Sequence, residues 1–161
     1  MRVGVGFDAH RFGEGRDLIL GGHRIEHNRG IEGHSDGDVL LHALTDAILG
    51  AVAAPDIGAL FPSDDPQWRG VQSSLFLSRA LEIAKQTGYE VSSVDAVVIA
   101  QEPRLSEHIA LIRRSVARLL GIPESAVGLK ATTTDGMGFI GRCEGIAVHA
   151  VATLIGLERN G

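Results

Sequence analysis

The stretch from Val39 to about Ala53 has the length of a helix and almost no position suited to solvent, because Val39, Leu40, Leu41, Leu44, Ile48 and Leu49 occupy most directions around it. A helix that is apolar nearly all round has to be covered by other elements, so the chain must build a layer over it. His34-Ser35-Asp36-Gly37-Asp38 reads as its start, with Ser35 as N-cap and Asp38 at the capping-box position, and Pro55 closes it. Along this helix Asp38, His42 and Asp46 recur every four residues and form one stripe. Ionisable groups in such a place are costly unless they are paired or hold a metal. Asp38 is read equally well as a capping acceptor. Asp46 is either a carboxylate that orients a ligand imidazole or an acceptor for a nearby backbone N–H.

Partners for His42 stand near the N-terminus. In Val3-Gly4-Val5-Gly6-Phe7-Asp8-Ala9-His10 a strand places Asp8 and His10 on the same face, and its glycines mark a place where another backbone or a ligand comes close. Two imidazoles and one carboxylate suit zinc, and three protein ligands instead of four leave a coordination position for a reacting group. The same donor set also forms the facial triad of non-haem iron oxygenases, which iron dependence and oxygen consumption would reveal. One ligand on a helix, together with threonine- and glycine-rich loops, favours phosphate chemistry over that alternative.

At 161 residues the chain is long enough for one well-packed domain, 1–161, and too short for two ordinary ones. With 44% hydrophobic residues, only 4% aromatic and 21 glycines, its core should be Val, Ile, Leu and Ala joined by many tight turns. A formal charge of −5 argues against broad contact with nucleic acid. The lone cysteine, Cys143, precludes an internal disulfide and fits a reducing compartment. The first ten residues lack the pattern of a secretory signal, and the longest apolar run, Gly145 to Leu157, contains His149 and is short for a bilayer. A soluble protein of the cytoplasm is expected, or of the plastid stroma for a mature eukaryotic chain.

Leu18-Ile19-Leu20, Gly21-Gly22 and His23-Arg24-Ile25 form a hairpin pattern. Val71 to Thr87 repeats apolar residues at helical spacing, Val94 to Ala100 reads as a buried strand delivering the loop Gln101 to Leu105, and Ser106 to Leu120 is a helix closed by Gly121. Val127 to Thr134 and Glu144 to Leu157 read as strands, the second bending into a short helix, with Asp135 to Arg142 between them. The fold class is therefore α/β, an α+β sandwich: a mixed β-sheet with helices packed on one face, plus a small β-hairpin arm.

Several loops carry further chemistry. Asp56-Ile57-Gly58 and Phe61-Pro62-Ser63-Asp64-Asp65 offer acceptors to a polyol, or form solvated acidic turns. Thr132-Thr133-Thr134 at a strand end offers hydroxyls and amides to a phosphate, and Asp135 can hold a hard cation such as magnesium, although threonine runs also simply favour strands. Arg142 suits a bidentate phosphate contact or an exposed salt bridge. Cys143 has no catalytic pattern around it.

Gly6-Phe7-Asp8-Ala9-His10, His34-Ser35-Asp36-Gly37-Asp38-Val39 with His42 and Asp46, Asp56-Ile57-Gly58, and Lys130-Ala131-Thr132-Thr133-Thr134 with Gly141-Arg142 together resemble the 2-C-methyl-D-erythritol 2,4-cyclodiphosphate synthase family, in the same order and spacing from Met1 to about Leu157. The resemblance implies a lyase of the non-mevalonate isoprenoid route that converts 4-diphosphocytidyl-2-C-methyl-D-erythritol 2-phosphate into the cyclic diphosphate and CMP. It implies zinc, or another divalent transition metal, on Asp8, His10 and His42, and a second ion, Mg2+ or Mn2+, at Asp135. His34 and Thr133 would support the transition state. Substrate contacts are implied for Asp8, Ala9, His10, His34 and Ser35 near the metal, and for Asp56, Ile57, Gly58, Phe61, Pro62, Ser63, Asp64 and Asp65 at the erythritol part. Ala100, Pro103, Arg104, Leu105 and Thr132 would bind the cytidine end, with Thr133, Thr134 and Asp135 beside them. A homotrimer with active sites between subunits is implied, as is an axial cavity for an isoprenoid diphosphate lined by Phe139 and Arg142. A trimeric, metal-stabilised isoprenoid diphosphate binder without turnover is the non-catalytic alternative. Two positions depart from the family pattern: Asp135 replaces the common glutamate, and Arg104 the common lysine.

Overall fold

Gly4 and Gly6 determine where the buried helix lies. They sit in strand β1 (Arg2–Gly13), and the helix is α1 (Val39–Ala51). A Cβ on Gly4 would collide with the Ala47 carbonyl and the Ala51 amide, and one on Gly6 with the Ala43 carbonyl. The helix backbone thus rests directly on the strand, as glycine inside a strand permits. The two elements run in opposite senses, so the next residue on that face of β1, Asp8, meets His42. The computed structural model describes residues 1–157.

The other strands and α-helices of the described residues are β2 (Leu18–Leu20), β3 (His23–Ile25), β4 (Gly30–Ile31), α2 (Ile57–Leu60), α3 (Ser74–Gln86), β5 (Tyr89–Ile99), α4 (Ile109–Leu120), β6 (Val127–Thr132), α5 (Gly138–Gly141) and β7 (Gly145–Gly156), with 3-10 turns at Pro66–Trp68 and Glu124–Ala126. Five strands form one sheet in the order β4-β1-β7-β5-β6, and β2 with β3 form the expected hairpin. Among the described residues only β5 and β6 pair in parallel; β1 with β4, β1 with β7 and β5 with β7 are antiparallel. One row across the sheet runs Ala9, Ala147, Ile99 and Thr132, so the candidate residues of β1 and those at the end of β6 lie at the same level along the strands.

Alternation divides the sheet into two unlike faces. Gly4, Gly6, Asp8 and His10 share a face with their partners on β7, Ala152, Ala150, Val148 and Ile146, which are buried beneath α1. The opposite face carries Val3, Val5 and Phe7, which are 57%, 65% and 52% exposed, with Val151 and Ile155 beside them. The mixed sheet with helices on one face and a hairpin arm is the architecture the sequence pattern implied. Among the described residues no helix is long and apolar enough to cross a membrane.

The start of α1 differs from expectation. Gly37 adopts a left-handed φ of 76°, which breaks the helical path between Ser35 and Asp38, so the helix begins at Val39 and Asp38 is its N-cap. Asp38 Oδ1 accepts from Leu41 N at 3.1 Å and from Gly21 N at 2.9 Å, while Oδ2 accepts from Gly22 N at 2.7 Å. One carboxyl therefore caps the helix and fastens the turn of the β2–β3 hairpin to it. Other boundaries shift too. α3 begins at Ser74 and α4 at Ile109, β5 begins earlier, at Tyr89, and β1 continues past the candidate ligands. β7 stays extended through Gly156 without bending into a helix, and the intervening loop contains the short α5.

Burial drives the Asp38 carboxyl up to about 6 against the three backbone donors, and the nearby Asp36 carboxylate adds to the rise. Between its ordinary value of 3.8 and about 6 the folded state keeps a proton that the unfolded state releases, so this group's contribution to stability declines as pH rises through that window. Asp38→Ala removes the cap and orphans two glycine N–H groups, and is expected to cost on the order of 3 kcal/mol. Urea denaturation should show that loss, with the gap to wild type wider at pH 5 than at pH 7.

Candidate metal centre and substrate cavities

Asp8 and His10 come from one face of β1, and His42 comes from the first turn of α1, which the two glycines bring close. Asp8 Oδ2 lies 2.9 Å from His10 Nε2 and 3.0 Å from His42 Nδ1, and the two ring nitrogens are 3.3 Å apart. Two ligands of a tetrahedral zinc ion are separated by about 3.3 Å, given bonds of about 2.0–2.1 Å.

The surroundings set the tautomers. His10 Nδ1 donates to the Glu32 carbonyl at 2.8 Å, which leaves Nε2 as the lone-pair nitrogen. His42 Nε2 donates to Ser73 Oγ at 2.8 Å, with Ser35 Oγ also near at 3.1 Å, and the Ser73 hydroxyl passes its own hydrogen to Asp36 Oδ1. His42 Nδ1 is thereby left as an acceptor. Three lone pairs then converge on one point, and only a cation relieves their repulsion. In a metal-stripped protein a proton does so: burial disfavours charge on His10, but the hydrogen bond and charge of Asp8 outweigh it and raise the imidazole above its ordinary value. Burial likewise opposes the Asp8 carboxylate, yet His10 and His42 together hold it below the usual carboxylate range. The donor set and its fixed tautomers fit a first-row divalent ion.

These residues stand at one side of a cleft of about 260 Å³ whose walls include His34, Ser35, Ile57, Gly58, Phe61, Ser63, Trp68 and Phe76. Phe61 packs on Phe76 with ring centroids 4.5 Å apart and meets Trp68 edge-on at 5.1 Å. Asp46 Oδ1 accepts from Ile57 N at 2.8 Å, so it ties α2 to the buried helix and is the backbone acceptor of the two readings. Asp56 caps α2 through Ala59 N at 2.8 Å, and Asp65 caps the single turn Pro66–Trp68. Pro62, Asp64 and these two caps belong to the same loop but do not line the cleft.

A second cavity, of about 680 Å³, lies between the loop after β5 and the end of β6, lined by Ala100, Gln101, Pro103, Arg104, Leu105, Thr132 and Thr133 among others. Thr134 Oγ1 donates to the Met137 carbonyl at 2.6 Å, and the exposed Asp135 has a left-handed φ of 52° with its amide on Thr133 Oγ1 at 3.2 Å. Phe139 lines a hollow of about 200 Å³ with Ala9, His10, Arg11, Glu144 and Gly145. Arg142 is exposed and bonded to Glu144 at 2.6 Å, the salt-bridge alternative. His34 and Thr133 therefore stand in different cavities of this chain. Ala9 and Thr132 lie three strand spacings apart on one row, about 14 Å. Sequence reasoning missed Ser73, Trp68 and Phe76. The lone tryptophan beside an acidic turn was a signal, whereas a serine ahead of a helix reads only as a cap.

The chain belongs to the YgbB family, whose profile it matches over residues 1–155. Two similar relatives are named 2-C-methyl-D-erythritol 2,4-cyclodiphosphate synthase. That of Porphyromonas gingivalis is 50% identical over 96% of this chain and 95% of its own, and that of Pseudomonas aeruginosa is 52% identical over 96% and 99%. Among solved structures, a 2C-methyl-D-erythritol-2,4-cyclodiphosphate synthase with CDP bound matches 96% of this chain and 100% of its own, with a TM-score of 0.88 and 38% identity. The bifunctional IspDF of Campylobacter jejuni matches with a TM-score of 0.94 and 41% identity, and this chain spans 42% of its length.

Ser73→Ala removes the acceptor that orients His42 and is expected to weaken metal binding by about 10- to 100-fold, whereas His42→Ala should lose most bound metal. Competition with a chromophoric chelator measures both.

Proposed function

We propose that the chain converts 4-diphosphocytidyl-2-C-methyl-D-erythritol 2-phosphate to 2-C-methyl-D-erythritol 2,4-cyclodiphosphate and CMP, as a lyase of isoprenoid precursor synthesis. The observation that carries this reading is the convergence of Asp8, His10 and His42 at a cleft, in a chain half identical to named synthases over nearly its whole length. The substrate's 2-phosphate oxygen bonds to the β-phosphorus, and the bond from that phosphorus to the oxygen of CMP breaks. Both partners are anions, so charge neutralisation and alignment supply most of the catalysis.

Asp8, His10 and His42 hold zinc in this reading, and Asp135 holds Mg2+ or Mn2+. Bound metal supplies positive charge against the phosphoryl oxygens. His34 and Thr133 flank the transferring group, Ser35 and the Asp56 to Asp65 segment receive the erythritol part, and the second cavity receives the cytidine. A cleft of about 260 Å³ is small for a nucleoside diphosphate ester, and a separation of about 14 Å within one chain is long for a diphosphate to bridge. Both features support active sites shared between neighbouring subunits. The uncovered apolar face around Val3, Val5, Phe7, Val151 and Ile155 supports a homotrimer built on the sheets. Phe139 and Arg142 are assigned to an axial isoprenoid diphosphate site, where a ligand anion competes with Glu144 for the guanidinium. The assigned compartment is the cytoplasm or the plastid stroma, and residues 1–161 act as one catalytic domain.

Phosphorus NMR of the metal-loaded protein with this substrate is expected to show the linear diphosphate replaced by CMP and a cyclic diphosphate in equal amounts. An unchanged spectrum overturns the reading. Asp135→Ala should raise the magnesium concentration needed for half-maximal turnover while zinc content stays at the wild-type level, and an unaltered magnesium titration removes Asp135 from its role.

A further inference from the structure

The loop after β5 supplies much of the second cavity's wall, and its shape is set from outside. Gln101 Oε1 accepts from Gly136 N at 3.1 Å, which ties the loop to the turn that holds Asp135. The next residue, Glu102, is not in the cavity wall. Its Oε1 accepts from Arg29 Nη2 at 2.7 Å, while Arg29 Nη1 donates to the Cys143 carbonyl at 2.9 Å. The same guanidinium lies over the Phe12 ring, 5.0 Å from its centroid, and His27 Nδ1 donates to the Arg29 carbonyl at 2.8 Å. One planar fork thus joins the end of β1 to the loop after β5 and the turn after α5, whose contacts lie 73 and 114 residues beyond Arg29 in sequence. The Arg29 side chain is 30% exposed and held on two oxygens and a ring, while the Glu102 side chain is 49% exposed.

We propose that Arg29 is a positioning residue for the nucleotide end of the substrate: through Glu102 it holds Gln101 to Leu105 in the shape that receives the nucleotide, without touching it. This rests on the reading that places the cytidine in the second cavity. Without the fork the loop samples other conformations, and apparent affinity falls in proportion to the fraction that remains competent.

The test is steady-state kinetics of the metal-loaded Arg29→Met and Glu102→Gln proteins, with CDP binding by calorimetry and zinc content measured alongside. Each variant is expected to raise KM and the CDP dissociation constant about tenfold with kcat within about twofold, the double variant being no worse than either alone. Arg29→Lys should recover part of the loss, since it keeps the charge and not the fork. An unchanged KM in Arg29→Met, in a background that turns over, overturns the proposal. So does a raised KM in Arg29→Met with a normal KM in Glu102→Gln, which would mean that Arg29 touches the substrate itself. A wild type that binds CDP about tenfold more tightly than both variants yet releases no CMP would uphold the positioning and overturn the reaction. Should Arg29→Met fail to fold, Glu102→Gln decides by the same measurements.

Discussion

The contact between the backbones of β1 and α1 supports everything else in this protein. Any side chain at Gly4 or Gly6 would enter the carbonyls of Ala43 and Ala47, so the helix approaches the strand as closely as bare backbone allows. That distance lets the short side chain of Asp8 reach His42. A spacing of about 10 Å, as between layers held apart by side chains in stacked sheets, would leave these groups too far apart to share one ion. Core packing and metal chemistry therefore depend on the same two glycines.

The polar network around the triad fixes direction as well as place. Backbone and hydroxyl partners commit Nδ1 of His10 and Nε2 of His42 as donors, so the nitrogens that face Asp8 are both acceptors. Such a site discriminates by charge before it discriminates by geometry. It is repulsive when vacant of cations and attractive to a proton or a metal, which links its occupancy to pH through His10.

Much of this was legible in the sequence, for identifiable reasons. Period-two spacing put Asp8 and His10 on one face, the four-residue stripe put His42 in a buried helix, and the glycines of β1 announced a close approach. The hairpin was readable from its paired glycines. Helix starts were less so: Ser35 has the chemistry of an N-cap, but the left-handed Gly37 passes that role to Asp38, and the Ser35 hydroxyl turns instead to His42. Ser73 carried no signal, because its importance comes from lying beside His42 in space and not in sequence. Asp46 offered two readings, and the nearby Ile57 amide decided between them.

Asp38, His42 and Asp46 turn α1 into a ruler. They stand at successive four-residue steps, about 6 Å apart along the axis. The first mark holds the hairpin turn, the second faces the metal position and the third holds the loop that walls the cleft. Three parts of the molecule with no direct need of one another are thus graduated on a single rigid rod. A slip of the rod by even one residue would rotate all three marks off their targets together, so errors in this helix register are all-or-none and partial loss of one function is not among its modes of failure.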